Sequence, residues 1–118
     1  MKIHIEIRGL PKMANGGHGS WQRAHGSRKK WKTLVARELV GLAPRKPFEF
    51  CRVLFTRHSS VEPDYDGLVH GFKPLRDALV TYGFVVDDKN SNMKAEYVWA
   101  HAPAKNGYVS IDFEGIEN

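Results

Sequence analysis

Five aspartates lie within residues 62–88 of this chain, although the formal net charge of the whole protein is +5. Asp64 and Asp66 stand two residues apart, and side chains with that spacing in an extended segment share one face. Carboxylates gathered within about 4 Å repel by about 4 kcal/mol, so protons or a dication must relieve the repulsion. Oxygen ligands favour Mg²⁺ or Mn²⁺ over Zn²⁺. The spacing allows a divalent-cation site if the fold carries Asp87 and Asp88 to the first pair.

Each acidic pair also has a structural interpretation that competes with metal binding. Acids favour helix N-termini, so Asp64 and Asp66 are equally consistent with capping of a helix that follows them. Asp87 and Asp88 are typical of a solvated turn. The six histidines show no close metal-ligand spacing, which argues against a zinc site.

The order of residues in this segment resembles the RusA family of Holliday junction resolvases, which are small metal-dependent endonucleases. The stretches GLPKMAN and WQRAHGSRKKW are similar, less specifically, to the N-terminal portion of some members. The elements that match the family pattern are Asp64-Tyr65-Asp66, Lys73, Asp77-Ala78-Leu79, Gly83 and Asp87-Asp88.

The resemblance implies a catalytic site built from three metal ligands and one cation. Asp64, Asp66 and Asp88 would bind Mg²⁺, with Mn²⁺ as a substitute, and Lys73 would assist at the scissile phosphate. The acids and base expected to neighbour this site are Asp87, Asp77 and His70.

Two departures from the family pattern bear on this site. Gly67 stands where the family usually has Asn. An insertion places His70 four residues after Asp66, where the shorter form of the family has its Lys, and puts Lys73 seven after it. Both offsets fall on one face of a continuous helix, so His70 is the alternative cation. Lys73 is favoured because lysine stays charged at neutral pH, and Pro74 should kink or restart the helix.

Charge is divided between the two halves of the chain. Residues 1–60 carry 13 Lys and Arg against 3 Glu, a net +10, and residues 61–118 carry 5 against 10 acids, a net −5. This division favours a polyanion held by the first half and a metal held by the second, with an unevenly charged solvated surface as the alternative. The residues assigned to DNA contact are Arg23, Arg28, Lys29, Lys30 and Lys32.

The elements that position these residues follow the order β-α-β-α-β-β. Residues 9–27 are predicted to form a loop, with Ser27 capping a helix that buries Trp31 and carries the basic residues in its first turn. A strand over residues 48–57 is predicted to point Phe48 and Phe50 inward, with Val53 and Phe55 as further inward candidates. The pattern predicts one α+β domain over residues 1–118, with two main helices on a small mixed sheet. The resemblance implies that this is the fold of the RusA family. The remaining predicted elements are strands 2–8, 95–101 and 108–114 and a helix over 66–82.

The resemblance implies a Mg²⁺-dependent endonuclease that resolves four-way DNA junctions by paired phosphodiester hydrolysis, and the acidic spacing and divided charge are consistent with it. The resemblance implies 5′-phosphate and 3′-hydroxyl ends, and two cuts related by a two-fold axis imply a homodimer. The alternative is a catalytically inactive protein that binds branched DNA on the same fold. The lone Cys51 in an apolar run and the lack of a long apolar stretch predict a cytoplasmic protein that does not engage membranes.

Overall fold

The computed structural model describes residues 1–11 and 21–117, with residues 21–28 described for their backbone alone. Four strands and three α-helices form within these residues, together with a short 3-10 turn at Ala104–Asn106. Their bounds in chain order are β1 Lys2–Arg8, α1 Trp21–Leu39, β2 Phe50–Ser59, α2 Tyr65–Gly71, α3 Lys73–Thr81, β3 Met93–His101 and β4 Tyr108–Ile116. The predicted α+β class with a small mixed sheet is confirmed.

The four strands form one sheet in the order β1-β4-β2-β3. β4 runs antiparallel to both β1 and β2, whereas β2 and β3 are parallel. The whole acidic segment therefore lies in the crossover between two neighbouring parallel strands. β3 and β4 follow each other in the chain but are not paired, because β2 lies between them.

One face of the sheet packs against the helices and forms the core. Ile5 of β1 lies opposite Ile111 of β4, which lies opposite Phe55 of β2, and all three are buried. α1 contributes Trp31 and Val35, four residues apart and therefore on one helix face. The prediction that Trp31 is buried is confirmed, and Cys51 is buried as well. None of the helices in the described residues is both long enough and apolar enough to cross a bilayer.

The first helix begins earlier than the sequence predicts. α1 starts at Trp21, so residues 21–27 are helical rather than part of a loop, and Ser27 lies inside the helix instead of capping it. The prediction of a first-turn basic cluster is therefore wrong. Arg28, Lys29, Lys30 and Lys32 all lie beyond the first turn of α1, outside the range in which the helix dipole acts most strongly. Gly26 and Ser27 are weak helix formers, and their presence suggested a loop. Residues 12–20 of that predicted loop lie outside the described residues.

The helix predicted over residues 66–82 is two helices. Phe72 ends α2 and starts α3, with φ −88° and ψ −3°. Pro74 lies in the first turn of α3, where a missing amide hydrogen costs nothing because first-turn amides have no intrahelical partner. The restart at Pro74 is therefore confirmed, and the continuous helix face shared by His70 and Lys73 is not.

The facing of β2 agrees with the prediction at Val53 and Phe55 and differs from it at Phe50. Cys51, Val53 and Phe55 are buried, so the odd-numbered positions point into the core, and Phe50 belongs to the opposite face. Phe48 precedes the strand, packs against the core and lies with its ring centroid 6.2 Å from that of Phe113.

Candidate functional site

Asp64 forms the start of helix α2. Its backbone is extended, with φ −70° and ψ 161°, and its Oδ1 accepts a hydrogen bond of 2.8 Å from the amide of Gly67. This is the N-cap arrangement, which satisfies an amide that has no partner inside the helix. Asp66 lies in the first turn with an exposed side chain. The capping interpretation of Asp64 is thus realised, and one oxygen of its carboxylate is engaged by the cap.

Asp87 and Asp88 form a turn held by its own side chain. The amide of Asp88 donates to Oδ1 of Asp87 over 2.7 Å, and the Lys89 Nζ lies 3.7 Å from the other oxygen of Asp87. The backbone hydrogen bond, aided by the charge of Lys89, lowers the pKa of Asp87 below its ordinary value. Asp87 is therefore ionised at neutral pH. Its hydrogen bond to the Asp88 amide shapes the turn in which Asp88 lies.

Arg76 of α3 connects Asp88 to the sheet. Its Nη2 donates to the Asp88 carbonyl oxygen over 2.7 Å, and its Nη1 donates to the Tyr97 hydroxyl over 2.7 Å. Its Nε lies 3.8 Å from Oδ2 of Asp88. Within the part of the chain that the structure describes, this Nε is buried without a hydrogen-bond partner.

Aromatic contacts extend this connection to the start of α2. The Tyr65 ring, between the two acids of the first pair, meets the Tyr97 ring edge to face, with centroids 6.4 Å apart at 85°. Tyr97 also stacks on Phe55 with centroids 5.3 Å apart, which ties it to the core. Burial raises the pKa of Tyr97, so its hydroxyl stays protonated. A continuous set of contacts thus runs from Tyr65 through Tyr97 and Arg76 to Asp88.

Lys73 and His70 occupy different helices. Lys73 is the first residue of α3, and its Nζ lies 3.3 Å from Oδ1 of Asp77 one turn later. Both side chains are partly exposed, so this pair contributes about 0.3 kcal/mol. His70 is exposed in the last turn of α2, four residues after Asp66 and on the same face of that helix. The break at Phe72 therefore leaves His70 aligned with Asp66 and pairs Lys73 with Asp77.

No metal-binding group forms from these side chains as they stand. Across residues 1–11 and 21–117, no three His, Cys, Asp or Glu side chains come together in a group that could hold a metal ion. One oxygen of Asp64 faces its own helix start, and Oδ2 of Asp88 faces Arg76. The donor atoms are carboxylate oxygens, which are the ligands Mg²⁺ and Mn²⁺ prefer.

The predicted DNA-binding residues lie along α1. Arg23 and Arg28 are in the helix, but their side chains fall outside the described part of the chain. Lys29 and Lys30 are exposed, and Lys32 is half-buried. All of them sit on the helical side of the sheet, because α1 packs against β1 and α3.

Sequence reasoning missed one basic residue of this helix. Arg37 is exposed and lies seven residues after Lys30, which is two turns along the same face. The spacing of Lys30 and Arg37 is the sequence signal that marks this face. We use the name basic face for the exposed residues Lys29, Lys30 and Arg37.

The opposite face of the sheet carries a groove that the sequence did not predict. Its volume is about 570 Å³, and charged side chains of both signs line it, including Arg52, Lys94 and Glu96. His4 lines this groove. Its Nε2 lies 3.0 Å from the carboxylate of Glu6, and its Nδ1 is hydrogen-bonded to the carboxylate of Asp112. These two carboxylates raise the pKa of His4, the hydrogen bond to Glu6 most of all.

Arg76 and Tyr97 were also missed as site residues. Their contact joins positions 21 residues apart, so no local pattern marks it. Tyr97 lies on the core face of β3, where an aromatic residue normally signals packing alone.

Comparison with known proteins gives no family assignment for this chain. Neither a scan against models of protein families nor a search of curated proteins found a match.

Proposed function

We propose that this protein is a Mg²⁺-dependent, structure-selective DNA endonuclease of the RusA type that cuts four-way junctions. The observation that carries the proposal is the set of contacts from Tyr65 through Tyr97 and Arg76 to Asp88. It connects the two ends of the acidic segment, whose order of residues resembles that family. The proposed reaction is paired phosphodiester hydrolysis that leaves 5′-phosphate and 3′-hydroxyl ends.

In this proposal Asp64, Asp66 and Asp88 hold the dication. When bound, it supplies an ionised water at neutral pH and neutralises charge on the phosphoryl oxygens. Asp66 is exposed, so its side chain changes rotamer at little cost and is the ligand best able to move toward the others. Asp87 acts by shaping the turn that presents Asp88.

Lys73 is the proposed cation near the scissile phosphate, and Asp77 is its neighbour. His70 is the alternative, supported by its place on the same face of α2 as Asp66. Alanine variants at the two positions, compared at saturating DNA, separate them. We expect Lys73→Ala to lower the cutting rate more than His70→Ala. A loss confined to His70→Ala would reverse the assignment.

The basic face of α1 is the proposed DNA contact. Phosphates attract a row of exposed cations on one helix face, and Lys30 with Arg37 forms such a row together with Lys29. A paired cut at a four-way junction needs two sites related by a two-fold axis, so we propose a homodimer. Buried Cys51 suits a reducing compartment, and we propose the cytoplasm.

The central experiment tests cutting and binding separately. The purified protein is incubated with a synthetic four-way junction in Mg²⁺, and binding is measured in EDTA. We expect Asp66→Asn to abolish cutting and to leave binding unchanged, because it removes a proposed ligand and touches none of the basic face. Glu38→Gln, an exposed acid in α1, is the matched control and should cut normally. Normal cutting by Asp66→Asn would show that the site is misplaced.

The DNA contact has its own test in the salt dependence of binding. Lys30→Ala and Arg37→Ala should each weaken junction binding and reduce the slope of log K against log salt by about 1. Lys94→Ala, an exposed lysine on the opposite face of the sheet, should change neither quantity. Equal effects of all three would remove the basic face from the interface.

A second candidate is a protein that binds branched DNA without cutting it. The observation that favours it is that Asp64 and Asp88 are engaged by a helix cap and by Arg76, with no three-ligand group among the described residues. The same junction assay decides between the two. Tight binding without nicks in either Mg²⁺ or Mn²⁺ supports the binding protein.

A further inference from the structure

We propose that Arg76 is a positioning residue that sets the orientation of the Asp88 carboxylate, and that Tyr97 fixes Arg76 for this task. The inference rests on the proposed function, because it concerns the same acidic site. It adds two residues that neither the acidic pattern nor its spacing assigns. Arg76 is a positioning residue and not a catalytic one, since it acts only through Asp88.

Two hydrogen bonds hold the guanidinium of Arg76 in one orientation. Nη1 is bonded to the Tyr97 hydroxyl and Nη2 to the Asp88 carbonyl oxygen, both over 2.7 Å. The plane of a guanidinium is rigid, so two bonds at its Nη atoms also fix the direction of the third donor. That third donor, Nε, lies on the side of Oδ2 of Asp88.

The Nε of Arg76, which has no hydrogen-bond partner in the described part of the chain, indicates the position that the Asp88 carboxylate takes when the site holds a cation. It lies 3.8 Å from Oδ2 of Asp88, beyond a hydrogen bond, and is buried without a partner among the residues described. A shift of about 1 Å by the Asp88 side chain closes a charge-assisted bond at the usual distance near 2.8 Å. That bond holds Oδ2, which leaves Oδ1 of Asp88 for a cation.

Tyr97 holds Arg76 in this orientation. Its ring is stacked on Phe55 and its hydroxyl is kept protonated by burial, so it offers Arg76 a fixed acceptor. Since the Tyr65 ring packs on the same tyrosine, the anchor of Arg76 also touches the residue between Asp64 and Asp66. Tyr97 is therefore shared by both ends of the acidic segment.

The test uses variants that keep charge but change geometry. Arg76→Lys retains one positive charge and loses the planar fork, and Tyr97→Phe retains the ring and loses the acceptor. Arg76→Met removes the charge. Arg52→Lys, on the opposite face of the sheet, is the matched control. For each variant we measure Mn²⁺ binding by electron paramagnetic resonance without DNA, the metal dependence of cutting, junction binding in EDTA and the thermal midpoint.

We expect Arg76→Lys to weaken Mn²⁺ binding about tenfold or more, and Tyr97→Phe to weaken it by a smaller factor in the same direction. Cutting should recover at saturating metal, and junction binding in EDTA should stay within about twofold, as the basic face is untouched. The control should match the unaltered protein in all four measurements.

Three results would overturn the inference. Wild-type Mn²⁺ affinity in Arg76→Lys would show that metal binding does not depend on the planar geometry of the Arg76 guanidinium. Tighter Mn²⁺ binding by Arg76→Met would show that Arg76 only competes with the cation. A collapse of Arg76→Lys in thermal midpoint, with unchanged Mn²⁺ affinity in Tyr97→Phe, would show a purely structural role. Failure of the unaltered protein to bind Mn²⁺ and to cut would instead overturn the proposed function, and this inference with it.

Discussion

Replacement of Asp64 separates its role as a helix cap from its proposed role as a metal ligand. The carboxylate accepts a hydrogen bond of 2.8 Å from the Gly67 amide and starts the seven-residue helix α2. Asparagine keeps an oxygen in the same place, whereas alanine removes it. A variant pair at this one position therefore distinguishes the geometry of the cap from the charge.

The expected magnitudes follow from the cap. Loss of an N-cap side chain costs about 1 kcal/mol, so Asp64→Ala should lower the free energy of unfolding by that amount and the melting temperature by about 4 °C. Asp64→Asn keeps the cap and loses only the attraction between a charge and the helix dipole, about 0.3 kcal/mol at an exposed position. Asp66→Ala is the control: Asp66 lies in the same turn but does not cap it, and the change should cost less than about 0.5 kcal/mol.

Urea unfolding followed by circular dichroism gives the stabilities, and the junction assay gives the cutting rates. We expect the two Asp64 variants to differ in stability and to agree in losing Mg²⁺-dependent cutting. Equal stability of Asp64→Ala and the unaltered protein would refute the cap. Cutting by Asp64→Asn at the wild-type rate would refute the ligand role and leave the cap as the whole function of Asp64.

Three further predictions concern parts of the fold away from the acidic segment. Burial raises the pKa of Cys51 to about 12, so a thiol reagent at pH 8 should label it only when urea unfolds the protein, and labelling at the rate of a free thiol would refute its burial. Gly115→Ala would place a Cβ within 2.3 Å of the Phe48 ring, so we expect a loss of about 1–3 kcal/mol by urea unfolding; an unchanged midpoint would mean that the ring moves aside freely. The pKa of His4 is raised by its two carboxylate partners, so its stabilising contribution is complete below pH 6.5 and fades as the pH rises through the higher folded-state value. His4→Gln should remove that fall from the pH profile of the melting temperature, and an identical profile would refute the assignment.

The facing of a strand was predictable where apolar and polar residues alternate, as they do over residues 109–114. In β4 the alternation of Val109, Ile111 and Phe113 with polar residues identifies the buried face correctly. In β2 apolar residues occur at both odd-numbered and even-numbered positions, so the pattern does not show that Phe50 belongs to the outward face. Periodicity predicts the facing of a strand only when one face is polar.

Helix ends were harder to predict because they depend on packing as well as propensity. Gly26 disfavours a helix, yet α1 runs through it from Trp21. The break at Phe72 was signalled by Pro74, two residues later. The acids of the candidate site were found from their spacing, whereas Arg76 was not, because its partner Tyr97 belongs to a different element.

Tyr97 belongs to β3, which lies at an edge of the sheet and has β2 as its one neighbour among the described strands. Edge strands open locally at a lower free energy than central strands do. Each such opening would withdraw the acceptor that orients Arg76 and so disorder the Asp88 turn, while β2 and β4 stay paired. Amide hydrogen exchange along β3 would thus report how often the Asp88 turn becomes disordered. Anything that binds this edge of the sheet would make that disordering less frequent.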